Sequence, residues 1–189
     1  MKFEVILAGF GGQGILFAGN LLAQAGMEAG LEVTYLPVYG PEMRGGTCNC
    51  TVVLSDREIA SPVVTRPSAL LIMNRPSFEK FVPRLKPGGL AVVNASLVPW
   101  ELAERQPGRR FVFVPADELA EEEGCPGLGN MAALGALVAA SGIVSPEKVL
   151  SGLKHLLPPE RKHLLEPNRR VFRRGYEFAL RKASPASRR

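Results

Sequence analysis

Six residues near the amino terminus, Gly9-Phe10-Gly11-Gly12-Gln13-Gly14, fit the spacing G-x-G-x-x-G between an apolar run, Phe3 to Ala8, and a largely apolar segment, Gly14 to Ala29. The run is short and uninterrupted, as in a parallel strand buried on both faces. Ile15, Leu16, Ala18, Leu21, Leu22 and Ala25 then cover most of a helix surface. The first glycine of such a turn permits a tight reversal and the second lets a phosphate approach the backbone. The third lets the helix pack on the strand, while the free N–H groups at the helix start face an anion. A strand-to-helix turn closed by glycine with no ligand remains the alternative. Gly9, Gly11, Gly12, Gln13 and Gly14 are therefore candidate cofactor-binding positions.

A dinucleotide site also needs an acid at the end of the second strand, about 20 residues on, to hold the ribose hydroxyls. The second strand, Glu32 to Leu36, runs into Tyr35-Leu36-Pro37, and its only acid, Glu32, stands at the wrong end. An NAD site is disfavoured. Beyond this strand lies Tyr39-Gly40-Pro41-Glu42-Met43-Arg44-Gly45-Gly46, a tyrosine, an acid and a cation among glycines and a proline. Arginine suits bidentate contact with carboxylate or phosphate, and loops at the carboxyl ends of strands line the ligand crevice of an open α/β sheet. Tyr39, Glu42, Arg44, Gly45 and Gly46 join the candidate positions. This loop and the glycine turn are expected to leave adjacent parallel strands on one edge. A surface hairpin with a local Glu42–Arg44 pair is the alternative.

The rest of the chain alternates in the same way. Thr47 to Leu54, Ala69 to Met73, Leu90 to Asn94 and Phe111 to Val114 read as strands. Helices are expected from Pro76 and over Pro115 to Glu123, and helical spacing dominates from Leu128 onward. The predicted fold is α/β, Rossmann-like, with a mostly parallel sheet, helices on both faces and a helical, basic C-terminal end. At 189 residues with no linker, residues 1–182 are expected to form a single domain and residues 183–189 a flexible tail.

Other chemistries find little support. The longest nearly apolar stretch, Met131 to Ala140, is shorter than the roughly 18 residues of a membrane span. The amino terminus reads as no secretion signal, so a cytoplasmic location is expected. Cys48 and Cys50 alternate onto one face of a strand, with only the distant Cys125 as a third thiol. They are read as small buried hydrophobes, and no metal site is assigned. His155 and His163 lie away from the motifs, no acid–base pair stands out, and no catalytic residue is named. Residues 161–189 carry ten Lys/Arg against Glu166 and Glu177, and their +8 within a total of +5 leaves −3 for residues 1–160. This basic end is read as a protein-contact surface. Nucleic acid is disfavoured because no base-reading module is evident.

The glycine turn, the Tyr39 to Gly46 loop and Ile59-Ala60-Ser61-Pro62 resemble the gamma subunit of 2-oxoacid:ferredoxin (acceptor) oxidoreductases of pyruvate, 2-oxoglutarate or branched-chain 2-oxoacid type. Asn74-Arg75-Pro76-Ser77, Lys86-Pro87-Gly88-Gly89, Asn94-Ala95-Ser96 and Gly129-Asn130-Met131 are similar to later segments of that family. The resemblance implies an accessory chain, inactive alone, in a complex that decarboxylates a 2-oxoacid with thiamine diphosphate. Such a complex passes electrons through iron–sulfur clusters to ferredoxin and makes an acyl-CoA. It implies alpha, beta and ferredoxin-like delta subunits as partners. It also implies coenzyme A near the glycine turn and the Tyr39 to Gly46 loop, with thiamine and most clusters on other chains. A homodimer of the isolated chain is a further expectation. The alternatives from other classes are a free-standing nucleotide-binding oxidoreductase and a basic nucleic-acid-binding module.

Overall fold

The computed structural model describes residues 1–38 and 47–183. Six strands form one sheet: β1 (Lys2–Phe10), β2 (Glu32–Val38), β3 (Thr47–Ser55), β4 (Ala69–Ile72), β5 (Leu90–Asn94) and β6 (Arg110–Val114). Their order is β2-β3-β1-β4-β5-β6. Pairs β1–β4, β4–β5 and β5–β6 are parallel, whereas β3 runs antiparallel to both β1 and β2. The expected mostly parallel sheet is present. The expected adjacency of β1 and β2 is not, because β3 lies between them. β2 and β3 each carry β-branched residues, and β2 returns directly into β3, so the hairpin partner takes the place beside β1.

Period-two alternation divides the sheet into two apolar layers. Val5, Leu7, Cys50, Val52, Leu54, Leu71 and Val92 point into the larger one. There they meet α1 (Ile15–Glu28), α3 (Ala116–Glu122), α4 (Gly129–Ser141), α5 (Pro146–Leu156) and α6 (Leu165–Ala183). Ile6, Ala8, Leu70, Ile72, Ala91 and Val93 point into the smaller one, packed by Phe78, Phe81 and Val82 from α2 (Arg75–Phe81) and the turn after it. Phe111 stacks between Phe78 and Phe113 at ring separations of 6.0 Å on each side.

The long apolar stretch of the sequence becomes α4, whose residues 129–138 are all buried. A helix apolar all round belongs inside a protein rather than on its surface. It is held between the sheet and α6, which presents Val171, Phe172, Gly175 and Ala179 at helical spacing. Gly135 of α4 and Gly175 of α6 sit at the crossing. A Cβ on Gly175 would overlap the Ala132 carbonyl oxygen, and one on Gly135 the Phe172 carbonyl. Among the described residues, no helix is long and apolar enough to cross a membrane. The helix expected at the C-terminal end extends to Ala183, and the rest of the expected tail, residues 184–189, lies outside the described residues.

Candidate functional site

β1 hands the chain to α1 through the glycine turn, and two of its glycines adopt backbone that L-residues rarely take. Gly12 has φ +93° and Gly14, at the N-cap of α1, has φ +69°. Gly9 is confined differently: a Cβ there would come within 2.7 Å of Gln13 Oε1 and 2.9 Å of Ile15. No side chain caps α1, and its first turn holds no acid. The helix start thus keeps its N–H groups and partial positive charge available to an anion. Gly11 and Gly14 are half-buried and Gly12 is exposed, so the turn is open to solvent along part of its length.

Gln13 fastens the turn. The Phe10 N–H donates to Gln13 Oε1 at 2.7 Å, and Asn74 Nδ2 donates to the same oxygen at 3.4 Å. Gln13 Nε2 donates to the Met73 carbonyl at 3.4 Å, tying the turn to the end of β4. Asn74 in turn caps α2, its Oδ1 accepting from the Ser77 N–H at 2.9 Å. From the other side, Asn130 Nδ2 donates to the Gly14 carbonyl at 3.1 Å, joining the start of α4 to the start of α1. Asn130 is buried, and its Oδ1 has no partner among the described residues.

The neighbouring strand ends continue this polar edge. Asn94 closes β5; its Oδ1 accepts from the Ala116 N–H at 3.2 Å and its Nδ2 donates to Asp117 Oδ2 at 2.9 Å. A Cβ on Gly129 would overlap Asp117 Oδ1, so this carboxylate lies against the first residue of α4. The helix start at α4 thus already has an anion beside it, whereas that of α1 does not.

Sequence patterns mark the glycine turn but place none of Asn74, Asn94, Asp117 or Asn130 among its candidates. Their signal is positional: Asn74 and Asn94 each follow a buried apolar run, and Asn74 precedes Arg-Pro-Ser at a helix start. The other half of the expected site, Tyr39, Glu42, Arg44, Gly45 and Gly46, lies outside the described residues. Its anchors do not. β2 and β1 run in the same direction, and Thr47, where β3 begins, pairs with Phe10, where β1 ends. The chain leaves β2 at Val38, whose partner Asn49 also pairs with Ala8. Both ends of the 39–46 segment therefore stand at the glycine-turn edge of the sheet, the Thr47 end beside β1 and the Val38 end one strand further out.

The cysteines do not offer a cluster. Cys48 and Cys50 share a face as expected, in the larger core. Burial pushes the Cys50 thiol up to about 12, and Cys48 beside it adds to the effect. The thiol donates to the Ile15 carbonyl at 3.7 Å. Iron–sulfur clusters are commonly held by four cysteine thiolates. No group of three His, Cys, Asp or Glu suited to a metal occurs among the described residues.

Known proteins supply the remaining comparison. The pyruvate ferredoxin/flavodoxin oxidoreductase family matches residues 4–178. The ketoisovalerate oxidoreductase subunit VorA of Methanothermobacter marburgensis is 39% identical over 138 residues, covering 73% of this chain but 28% of VorA. The 2-oxoglutarate synthase subunit KorC of the same organism is 35% identical over 185 residues, covering 95% of this chain and 98% of KorC. The chain therefore spans a minor part of one relative and nearly all of the other. Among solved structures, the gamma subunit of a keto/oxoacid ferredoxin oxidoreductase from Geobacter sulfurreducens superposes with a TM-score of 0.78 at 30% identity, covering 95% of this chain and 99% of that one. A 2-oxoglutarate:ferredoxin oxidoreductase from Magnetococcus marinus, solved with 2-oxoglutarate, coenzyme A and succinyl-CoA bound, superposes with a TM-score of 0.86 at 26% identity. That match covers 97% of this chain and 32% of the other. With a family match over residues 4–178 and a fold shared with a solved gamma subunit, the chain belongs to the pyruvate ferredoxin/flavodoxin oxidoreductase family.

Proposed function

We propose that this chain is the gamma-type subunit of a 2-oxoacid:ferredoxin oxidoreductase, and that its carboxyl edge helps to hold coenzyme A. The observation that carries the reading is the match to KorC, a 2-oxoglutarate synthase subunit, over 98% of that subunit's length. Thiamine diphosphate and the iron–sulfur clusters belong on partner chains in this reading. The partners are alpha, beta and ferredoxin-like delta subunits, and the complex oxidatively decarboxylates a 2-oxoacid to an acyl-CoA.

This chain's part is positioning. The uncapped start of α1, with Gly12 and Gly14 exposing backbone N–H groups, suits a phosphate of coenzyme A. Gln13 and Asn130 hold that turn rigid against β4 and α4. Arg44, on the segment anchored at the same edge, supplies a guanidinium for a second anionic contact. Replacing Arg44 with Ala removes a charge-assisted bond worth about 1.5–3 kcal/mol, so KM for coenzyme A in the assembled enzyme is expected to rise by about tenfold or more, with kcat little changed. Steady-state kinetics with coenzyme A varied tests this. Unchanged coenzyme A kinetics in a variant that assembles normally contradicts the role of the loop.

A further inference from the structure

The arginines of α6 are largely engaged within the chain. Arg170 pairs with Glu123 at 3.4 Å, and Arg174 pairs with Glu122 and Glu123, all on or just after α3. Arg169 pairs with Glu166 and Arg181 with Glu177. A surface of spare positive charge lies instead where α5 turns into α6, through Pro159–Leu164. Lys154, Arg161 and Lys162 are exposed there and form no ion pair with any described residue. His155 and His163 lie in the same stretch, with Glu160 as its one acid.

Two of these cations border an apolar depression. A cavity of about 190 Å³ is lined by Leu153, Leu157 and Leu165, with Lys154 and Lys162 as its polar members. Leu153 and Leu157 are buried and form a fixed floor. A surface that pairs a leucine floor with two lysines forming no ion pair with any described residue suits an aliphatic group beside carboxylates. It does not suit a nucleic-acid backbone, which offers phosphates but no aliphatic group for the floor.

We propose that this cavity is a docking site for an acidic segment of a partner chain, which inserts one aliphatic side chain between Lys154 and Lys162 and sets its carboxylates against them. The inference rests on the subunit reading above. Charge complementarity selects the occupant: a small anionic amphiphile has one charged head, whereas Lys154, Arg161 and Lys162 set three cations on this surface. An acidic segment supplies a carboxylate for each.

The test compares lysine acetylation, read by mass spectrometry, in the free chain and in the complex isolated through the tagged chain from its native cell. Lys154 and Lys162 are expected to react about tenfold or more slowly in the complex. The double variant Lys154→Glu, Lys162→Glu is expected to bind the purified partner chains about tenfold or more weakly with an unchanged melting temperature, because both positions are exposed. Equal acetylation in the free and assembled chain overturns the proposal, as does undiminished binding by the double variant. Protection by added octanoate without protection in the complex also overturns it, and assigns the cavity to an amphiphile. If no complex is recovered, the subunit reading fails first. If the complex forms and the lysines stay reactive, only the docking site fails.

Discussion

Cys50 shows how burial settles a residue's chemistry. A thiolate is the reactive and metal-binding form, and the interior of the larger core disfavours it strongly enough to raise the thiol to about 12. Gly19 lies so close that a Cβ there would overlap Cys50 Sγ, which leaves no room for a reagent. Alkylation with iodoacetamide at mildly alkaline pH is therefore expected to leave Cys50 unmodified in the native protein and to modify it in denaturant. Peptide mapping reads the outcome directly. Glu4 makes the complementary point at the amino edge of the sheet. Burial alone would raise its carboxyl, but hydrogen bonds and charge from Lys2 and Lys86 outweigh that and hold it below its ordinary value. Lys2 approaches at 2.8 Å and Lys86 closer still. A lowered carboxyl stabilises the fold above its unfolded value of 4.5, and that contribution fades as pH falls through the folded value. Glu4→Gln is thus expected to cost up to about 1 kcal/mol at neutral pH. Denaturant unfolding of both proteins across the acid range should show the gap closing below the unfolded value.

At the scale of elements, the α4–α6 crossing holds the tightest glycine contacts among the described residues. Both helices bring glycine to it, and the overlapping atoms are backbone carbonyls, which cannot rotate aside. Gly175→Ala is expected to lose about 3 kcal/mol or more of stability, read as a lower midpoint in denaturant with the helix content of the native state retained. A midpoint equal to wild type would mean that the crossing is looser than described. Most strands and helices were legible because their signals are local. Leu90 to Asn94 is bounded by Pro-Gly-Gly before it and a turn after it, and it forms the expected strand without a residue's difference. The place of β3 was not legible. Its own alternation says that it is a strand, yet pairing between β1 and β2 depends on which edge is free when the hairpin closes. No residue in Thr47 to Ser55 encodes that by itself. The site was half legible for the same reason. Glycine spacing announces the turn, but Gln13, Asn74 and Asn130 act through partners 60 to 116 residues away in the chain. The C-terminal end was legible as helical and basic, whereas its arginines' use of Glu122 and Glu123, at and just after the end of α3, required the packing.

For the whole molecule, the two layers serve different ends. The larger core buries α4 and fixes the sheet, while the carboxyl edge carries the uncapped start of α1 with a polar frame of amides around it. In the proposed function, this edge positions a ligand for chemistry carried by partner chains. Reconstitution tests this most directly. The partner chains recovered with the tagged subunit are separated from it. Reduction of ferredoxin by a 2-oxoacid with coenzyme A is then measured for this chain alone, for the partners alone and for the mixture. The account predicts that this chain alone is inactive and that adding it to the partners restores coenzyme A-dependent turnover. Turnover by the isolated chain, or partners equally active without it, would contradict the account.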